Sequence, residues 1–166
     1  MKKYLLLAGL LIMAQFGFSQ TDSTNLAPYQ KFPTYPPVKL LMVDSVSFYT
    51  KADLPKKSAV MLMLFNPQCE HCQHETEQIV AHIDEFKKVQ IVMTTFMPFD
   101  SMMAFRAKYG LEKYKNIIVA QDTHYFLPSY YKISSLPFLA FYNKDKELIS
   151  VHEGSMPIEA VIKVFH

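Results

Sequence analysis

The chain alternates between apolar runs of strand length and longer stretches in which apolar residues are spaced as on a helix. Residues 59–65 are apolar throughout, which is typical of a strand covered on both faces, and Asn66 and Pro67 end the run. Further apolar or β-branched runs predict strands at 89–94, 116–120, 138–142 and 147–152. The spacing of these runs along the chain indicates an α/β domain.

Three of the intervening segments are predicted to be helical. In 73–88 the residues at helical spacing are Thr76, Ile79, Val80, Ile83 and Phe86. Residues 100–109 have the composition of a short helix with Asp100 or Ser101 as N-cap, and 157–165 form a last helix with Ser155 as N-cap. The aromatic segment 123–135 fits neither period and is left without an assignment.

The order of these elements also predicts how some strands pair. Strand 59–65, helix 73–88 and strand 89–94 form a crossover unit, which implies parallel strands and a right-handed connection. Residues 38–43 and 46–49 flank the turn-like pair Asp44 and Ser45, which predicts an antiparallel hairpin ahead of that unit.

The first 20 residues have the pattern of a cleaved secretory signal peptide. Lys2 and Lys3 precede the apolar run 4–18, and small residues suit a cleavage site near Ser19 or Gln20. The run is shorter than the roughly 18 to 20 residues that a membrane-spanning helix needs. The predicted organisation is a signal peptide at 1–20, an extended Pro-rich lead-in at 21–37 and one domain at 38–166.

Composition supports one globular domain and argues against charged partners. Half of the residues are hydrophobic and 14% are aromatic, which suffices for a core. Cleavage after residue 20 removes two lysines, so Lys plus Arg falls from 17 to 15 and equals Asp plus Glu. A neutral mature chain favours neither nucleic acid nor an anionic membrane as partner, and we expect no stable membrane insertion after cleavage.

The candidate chemistry lies in the stretch FNPQCEHCQHE at 65–75, which holds both cysteines of the chain. A disulfide between Cys69 and Cys72 closes so short a loop that it adds little stability on the entropic model. Two cysteines three apart at the start of a helix can instead open and close a disulfide, and the helix N-terminus favours a thiolate. Cys69 is the predicted attacking sulfur, and Cys72 is the predicted resolving sulfur.

The chain resembles the thioredoxin-fold thiol-disulfide oxidoreductases, and specifically the exported TlpA/ResA-type branch of redoxins. The resemblance extends from about residue 38 to the C-terminus. It rests on an ordered set of features: the apolar strand before Cys69 and Cys72, Leu136-Pro137 before strand 138–142, the turn at 143–146, and Glu153 and Gly154 before the last helix.

That resemblance implies a fold and an activity. The expected fold is a thioredoxin-like three-layer α/β/α domain with a mixed central sheet and an N-terminal β-hairpin extension. The expected protein is periplasmic, needs no cofactor, and exchanges the Cys69–Cys72 disulfide or dithiol with protein substrates through a mixed disulfide on Cys69. Its partners are then protein thiols or disulfides and a further redox protein that recycles the site.

The resemblance also implies roles for individual residues. Pro137 is the expected cis proline beside the cysteines, and Leu136 is its substrate-contacting neighbour. Glu75, three residues after Cys72, is either an active-site acid/base that accepts the Cys72 proton or a first-turn acid that favours the helix dipole. Two positions depart from relatives: Gln68 replaces a frequent tryptophan, and Met63 replaces the buried aspartate of thioredoxins proper, which argues against a general reductase role.

Glu70 and His71, the two residues between the cysteines, tune the predicted reduction potential. His71 resembles the histidine of strongly oxidising members, whose imidazolium stabilises a thiolate at Cys69 and hence the reduced form. Glu70 resembles the residue that reducing members carry at this position, and its negative charge opposes the effect of His71. The expected potential is above thioredoxin's value of about −270 mV and below the roughly −120 mV of the strongest oxidants.

Two other functions remain open from the sequence alone. Cys69, Cys72, His71 and His74 form a soft ligand set that His124 or His152 would complete, as in copper-delivery proteins on a thioredoxin fold. Those proteins space their cysteines one residue wider, and the methionines are more typical of a core than of ligands. A peroxiredoxin-type peroxidase would need threonine or serine where the chain has Asn66.

Overall fold

A computed structural model describes residues 26–166, so the predicted signal peptide and the first residues of the lead-in lie outside the described residues. The strands are β1 (Lys39–Leu41), β2 (Phe48–Thr50), β3 (Ala59–Leu64), β4 (Val89–Thr95), β5 (Ile117–Gln121), β6 (Phe138–Tyr142) and β7 (Leu148–Glu153). The helices are α1 (Pro28–Lys31), α2 (Glu70–Ala81), α3 (Phe99–Lys108), α4 (Phe126–Tyr131) and α5 (Ile158–Lys163). Short 3-10 turns occupy Lys51–Asp53, Ile83–Phe86 and Leu111–Lys113.

The seven strands form one mixed sheet in the order β2-β1-β5-β4-β3-β6-β7. Strands β3, β4 and β5 run parallel, and the remaining pairs are antiparallel. The crossover unit and the hairpin extension are therefore confirmed. In the register of the sheet, Leu64 at the end of β3 lies opposite Phe138 at the start of β6. The loop after β3 and the loop before β6 consequently meet at the same end of the sheet, beyond the C-terminal end of β3.

Two hydrophobic cores cover the two faces of the sheet, which confirms the three-layer architecture. Helices α2, α3 and α5 pack on one face through a core that contains Met63, Ile79, Phe105 and Val161. Helix α4 packs on the other face through a core that contains Tyr35, Leu62 and Tyr131. The alternation of β3 side chains between the cores explains why that strand is apolar at every position.

The ends of the predicted helices required correction. The cysteines lie at the start of α2, as predicted, with Cys69 as N-cap. The predicted end at residue 88 was wrong, because α2 ends at Ala81 and His82 has a non-helical φ of −114° and ψ of 26°. The apolar pattern continues only because the following 3-10 turn still buries Phe86. Prolines precede two helices where polar caps were expected: Pro98 before α3, not Asp100 or Ser101, and Pro157 before α5, not Ser155.

The segments that periodicity did not resolve are held by specific polar contacts. The aromatic segment contains α4, and the buried carboxylate of Asp122 accepts hydrogen bonds from the backbone N–H groups of His124, Phe126 and Leu127 at its start. The described part of the lead-in is not simply extended, since it includes α1 and buries Tyr35. Between residues 26 and 166, no helix has the length and apolar character needed to cross a membrane.

Candidate active site

Cys69 stands at the junction between the loop after β3 and helix α2. It is the N-cap residue, with extended φ and ψ of −81° and 118°, and its backbone N–H donates to the Asn66 carbonyl at 3.0 Å. Its side chain is half-buried, whereas Cys72 in the first turn of α2 is fully buried, and both are free thiols. Cys69 is thus the more accessible sulfur of the pair and Cys72 the buried one.

The Cys72 thiol lies in surroundings that disfavour its charged form. The pKa of Cys72 is raised to about 12, mainly by burial and further by Cys69 and the charge of Glu75. One contact works the other way, since the backbone N–H of Asn66 points to the Cys72 sulfur at 3.5 Å. A thiol with so high a pKa needs a proton acceptor nearby if it is to attack a disulfide at neutral pH.

Glu75 lies on the same face of α2 as Cys72 and is 1% exposed. Its Oε2 accepts a hydrogen bond from the Met156 backbone N–H at 3.0 Å, and its Oε1 has no hydrogen-bond partner within residues 26–166. Burial raises the pKa of Glu75, opposed by the Met156 contact and by the positive potential of His152 and His74. Because α2 begins at Glu70, Glu75 is not in the first turn, and the helix-dipole interpretation loses its premise.

The loop before β6 brings a backbone carbonyl to the exposed cysteine. The Leu136-Pro137 peptide is cis, which confirms that prediction. The Cys69 thiol lies 3.8 Å from the Leu136 carbonyl oxygen, within donating distance for a sulfur. Cys69 and Leu136 are 67 positions apart in the chain. They come together because β3 and β6 are neighbours in the sheet.

A groove of about 330 Å³ opens beside Cys69. Its other lining residues are Leu64, Asn66, Phe96, Tyr125, Pro128, Ile133, Ser134, Ser135 and Leu136. The rings of Phe96 and Tyr125 pack edge to face with centroids 4.8 Å apart, and Tyr125 is 54% exposed. The groove combines aromatic walls with a backbone edge, which is the form of surface that holds an extended polypeptide.

The charged residues around the cysteines lie outside this groove. Glu70, His71 and His74 are exposed on α2. The His71 carbonyl accepts a hydrogen bond from the Ser155 hydroxyl at 3.4 Å, so the backbone here is tied to the loop before α5. Any influence of the Glu70 and His71 side chains on Cys69 is therefore electrostatic and screened by solvent.

The geometry gives the metal hypothesis no support. Among residues 26–166 no three His, Cys, Asp or Glu side chains are grouped closely enough to hold a metal ion. The methionines Met61, Met63, Met93 and Met102 are fully buried in the core under α2 and α3.

Several contributors to the site were not predicted from the sequence. The N–H groups of Asn66 and Met156 act through the backbone, which leaves no signature in residue type. Phe96 comes from the loop after β4, which the sequence places far from the cysteines. Tyr125 and Pro128, from the aromatic segment 123–135 that the sequence left without an assignment, also line the groove.

Comparison with known proteins identifies the family to which this fold belongs. Residues 49–166 match the family model described as a thioredoxin-like domain. No curated protein sequence matches the chain.

Solved structures share the fold at low sequence identity. A putative thiol:disulfide interchange protein DsbE from Chlorobium tepidum is 20% identical, with a TM-score of 0.67 over 79% of this chain and 92% of that chain. A secreted disulfide oxidoreductase from Mycobacterium tuberculosis is 17% identical, with a TM-score of 0.65 over 77% and 93%. StoA from Bacillus subtilis is 18% identical, with a TM-score of 0.60 over 78% and 97%. At 17–20% identity, these neighbours share the fold of this chain.

Proposed function

Because this chain belongs to the thioredoxin-like family, we propose that it is an exported thiol-disulfide oxidoreductase that acts on protein substrates through Cys69 and Cys72. One observation carries the proposal: the half-buried Cys69 sulfur lies 3.8 Å from the Leu136 carbonyl beside cis-Pro137, while Cys72 is buried one turn deeper. That arrangement separates an attacking from a resolving sulfur, which thiol-disulfide exchange on a protein substrate requires.

The reaction begins at Cys69 when the site is reduced. The Cys69 thiolate attacks one sulfur of a substrate disulfide, the substrate S–S bond breaks, and the departing sulfur leaves with the electron pair and takes up a proton. A mixed disulfide then joins Cys69 to the substrate. The groove lined by Phe96, Tyr125 and Leu136 holds the polypeptide during this step.

Cys72 completes the exchange. Glu75 accepts its proton, the Cys72 thiolate attacks the Cys69 sulfur, and the second substrate thiol is released as the Cys69–Cys72 disulfide forms. The substrate has gained two electrons and two protons in total. Running the same steps in reverse oxidises a substrate dithiol, so the geometry serves both directions.

Export is supported by the sequence and by the neighbours. The pattern of residues 1–20 is that of a cleaved signal peptide, and the Mycobacterium tuberculosis neighbour is described as secreted. A periplasmic location places the dithiol where protein disulfides form and persist.

Trapping of the mixed disulfide tests the proposal. A Cys72→Ser variant expressed with its signal sequence should accumulate adducts that a reductant releases, because nothing resolves the bond at Cys69. A Cys69→Ser variant is the matched control and should accumulate none. Equal adduct levels in the two variants, or none with Cys72→Ser, would contradict the assigned roles.

A further inference from the structure

The carboxylate of Glu153, at the end of β7, gathers the hydrogen-bond donors of two consecutive serines. Its Oε2 accepts from the backbone N–H groups of Ser134 at 3.2 Å and Ser135 at 3.0 Å. The same oxygen accepts from the Ser135 hydroxyl at 3.3 Å and from the Ser134 hydroxyl. Four donors therefore converge on one oxygen of a side chain that lies 18 and 19 positions further along the chain.

The two serines belong to the wall of the groove beside Cys69. Ser134, Ser135 and Leu136 line it consecutively, and the Leu136 carbonyl is the group that faces the Cys69 thiol. We call residues 134–136 the groove edge. It is a solvent-exposed turn ahead of cis-Pro137, with both serine side chains exposed.

The end of β7 fixes this turn at two points. Glu153 pairs with Phe138 in the β6–β7 ladder, and the N–H of the next residue, Gly154, donates to the Pro137 carbonyl at 2.8 Å. The strand thus holds the residues after the groove edge through its backbone, while the Glu153 side chain holds Ser134 and Ser135 within it. Without the carboxylate, the N–H groups of Ser134 and Ser135 lose this acceptor, whereas the Ile133 N–H still donates to the Pro128 carbonyl at 3.1 Å and the Leu136 carbonyl still faces Cys69.

The charge of Glu153 suits this role. Donation by the Ser134 hydroxyl, followed by the backbone N–H groups and the Ser135 hydroxyl, lowers the pKa of Glu153 from its ordinary value. The group is consequently ionised at neutral pH, and hydrogen bonds to a charged acceptor are stronger than neutral ones.

We propose that Glu153 is a positioning residue that pre-orders the groove edge for polypeptide substrates, so that they meet Cys69 in register. The inference rests on the proposed function and deepens it, because it separates binding of a polypeptide from the exchange chemistry of the thiols. A small disulfide that touches only Cys69 does not need an ordered groove edge. Glu153 itself contacts neither sulfur and transfers no proton.

Steady-state reduction of two probes distinguishes these roles. The probes are insulin, whose disulfides lie in polypeptide chains, and hydroxyethyl disulfide, with dithiothreitol as the recycling reductant. Glu153→Ala should raise KM for insulin about three- to tenfold with little change in kcat, because binding must now order the turn. Its rate with hydroxyethyl disulfide should stay within about twofold of wild type, since the thiols are untouched.

Two further variants guard against a merely structural effect. Glu153→Gln keeps an acceptor oxygen without the charge and should give an insulin KM between those of wild type and Glu153→Ala; it also serves if the alanine variant folds poorly. Glu147→Ala removes an exposed carboxylate at the opposite end of the β6–β7 hairpin, where it accepts from the Asn143 amide at 2.8 Å. That control should leave both probes unchanged.

Amide hydrogen exchange gives a local readout. The Ser134 and Ser135 amides should exchange faster in Glu153→Ala and remain protected in Glu147→Ala. An unchanged insulin KM in Glu153→Ala, or a parallel fall in the rates with both probes, would overturn the inference while leaving the proposed function intact. A wild-type protein that reduces neither probe would overturn the proposed function and this inference with it.

Discussion

Glu75 lies one helical turn beyond Cys72 on the buried face of α2, and its charge adds to the effect of burial in raising the pKa of that thiol. Burial also raises the pKa of Glu75. Ionising both groups at once is therefore unfavourable, whereas moving one proton from Cys72 to Glu75 leaves the net charge of the interior unchanged. The pair is suited to deprotonate the resolving thiol only at the moment when it attacks.

Replacement of Glu75 by Gln tests this relationship. The step in which Cys72 resolves the mixed disulfide should slow by about 10²-fold, the lower end of what a positioned base contributes. Attack by Cys69 on the substrate should change little, because Glu75 faces the other thiol. Stopped-flow measurement of the two steps, with a preformed mixed disulfide for the second, separates them.

A matched control lies on the same helix. Glu77 is exposed, so Glu77→Gln removes an equal charge from α2 without touching the buried pair and should leave both steps unchanged. Equal resolution rates in wild type and Glu75→Gln, together with an unchanged Cys72 pKa, would remove the catalytic role of Glu75.

Burial of Glu75 also predicts a pH dependence of stability. Since its native pKa is raised, the native state binds this proton more tightly than the unfolded chain, and the resulting stability is present at low pH. It is lost as the pH rises from about 4.3, the unfolded pKa of a glutamate, through the native pKa. In urea titrations under reducing conditions, the free energy of unfolding of wild type should therefore fall relative to Glu75→Gln as the pH rises above about 4.3. A difference that is constant across that range would contradict the assigned pKa direction.

The sequence predicted the elements that carry the cysteines because those elements follow strong local rules. The apolar run that becomes β3 and the helical spacing of Thr76 and Ile79 both predict buried side chains. The structure buries these side chains. The cis peptide bond before Pro137 was predicted from the ordered set of motifs in the resemblance, not from any local pattern.

Contacts made by single groups across the chain were beyond prediction. Nothing in the residues near Glu153 indicates that it accepts from Ser134 and Ser135, and α4 depends on the carboxylate of Asp122, which precedes the helix by four positions. The N-cap predictions failed for a related reason: Pro98 and Pro157 have a ψ of 143° and 133°, outside the helical range, and they precede the helix without a side-chain hydrogen bond. The residue at which a helix begins depends on the direction in which the chain leaves the preceding strand, and local composition does not encode that direction.

Asp122 supplies a stability prediction at the groove. Its carboxylate is 2% exposed and accepts from three backbone N–H groups at the start of α4, the helix that carries Pro128 of the groove wall. Asp122→Ala leaves these donors without that acceptor and should lower the free energy of unfolding by about 2–3 kcal/mol. Asp84→Ala, which breaks an exposed ion pair with Lys87, should change it much less. Urea unfolding at pH 7 measures the free energy of unfolding of both variants. Equal effects of the two substitutions would contradict the capping role of Asp122.

The different surroundings of the two thiols predict an order of alkylation. At pH 8 only about one Cys72 in 10⁴ is ionised if its pKa is about 12, and its sulfur is fully buried, whereas Cys69 opens on the groove. Iodoacetamide should therefore label Cys69 at least about tenfold faster than Cys72. Peptide mass spectrometry of the reduced protein, quenched at several times, measures both rates. Cys72→Ser should retain the fast phase and Cys69→Ser should lose it; comparable labelling of both thiols would refute the attacking and resolving assignments.

The residues between the cysteines predict the sign of two changes in reduction potential. Glu70 and His71 are exposed at the start of α2, so their charges act on Cys69 through solvent and with opposite effects on a thiolate. Glu70→Gln removes a negative charge, stabilises the reduced form and should raise the potential, while His71→Ala removes a side chain that can carry a positive charge and should lower it, each by up to about 30 mV. The wild-type value should fall between about −270 and −120 mV in a glutathione-buffer titration. Both shifts should shrink in high salt, and Glu77→Gln, two turns along the helix, should produce neither. Shifts of the same sign for the two variants, or a wild-type potential outside that interval, would show that the pair does not tune Cys69 through its charge.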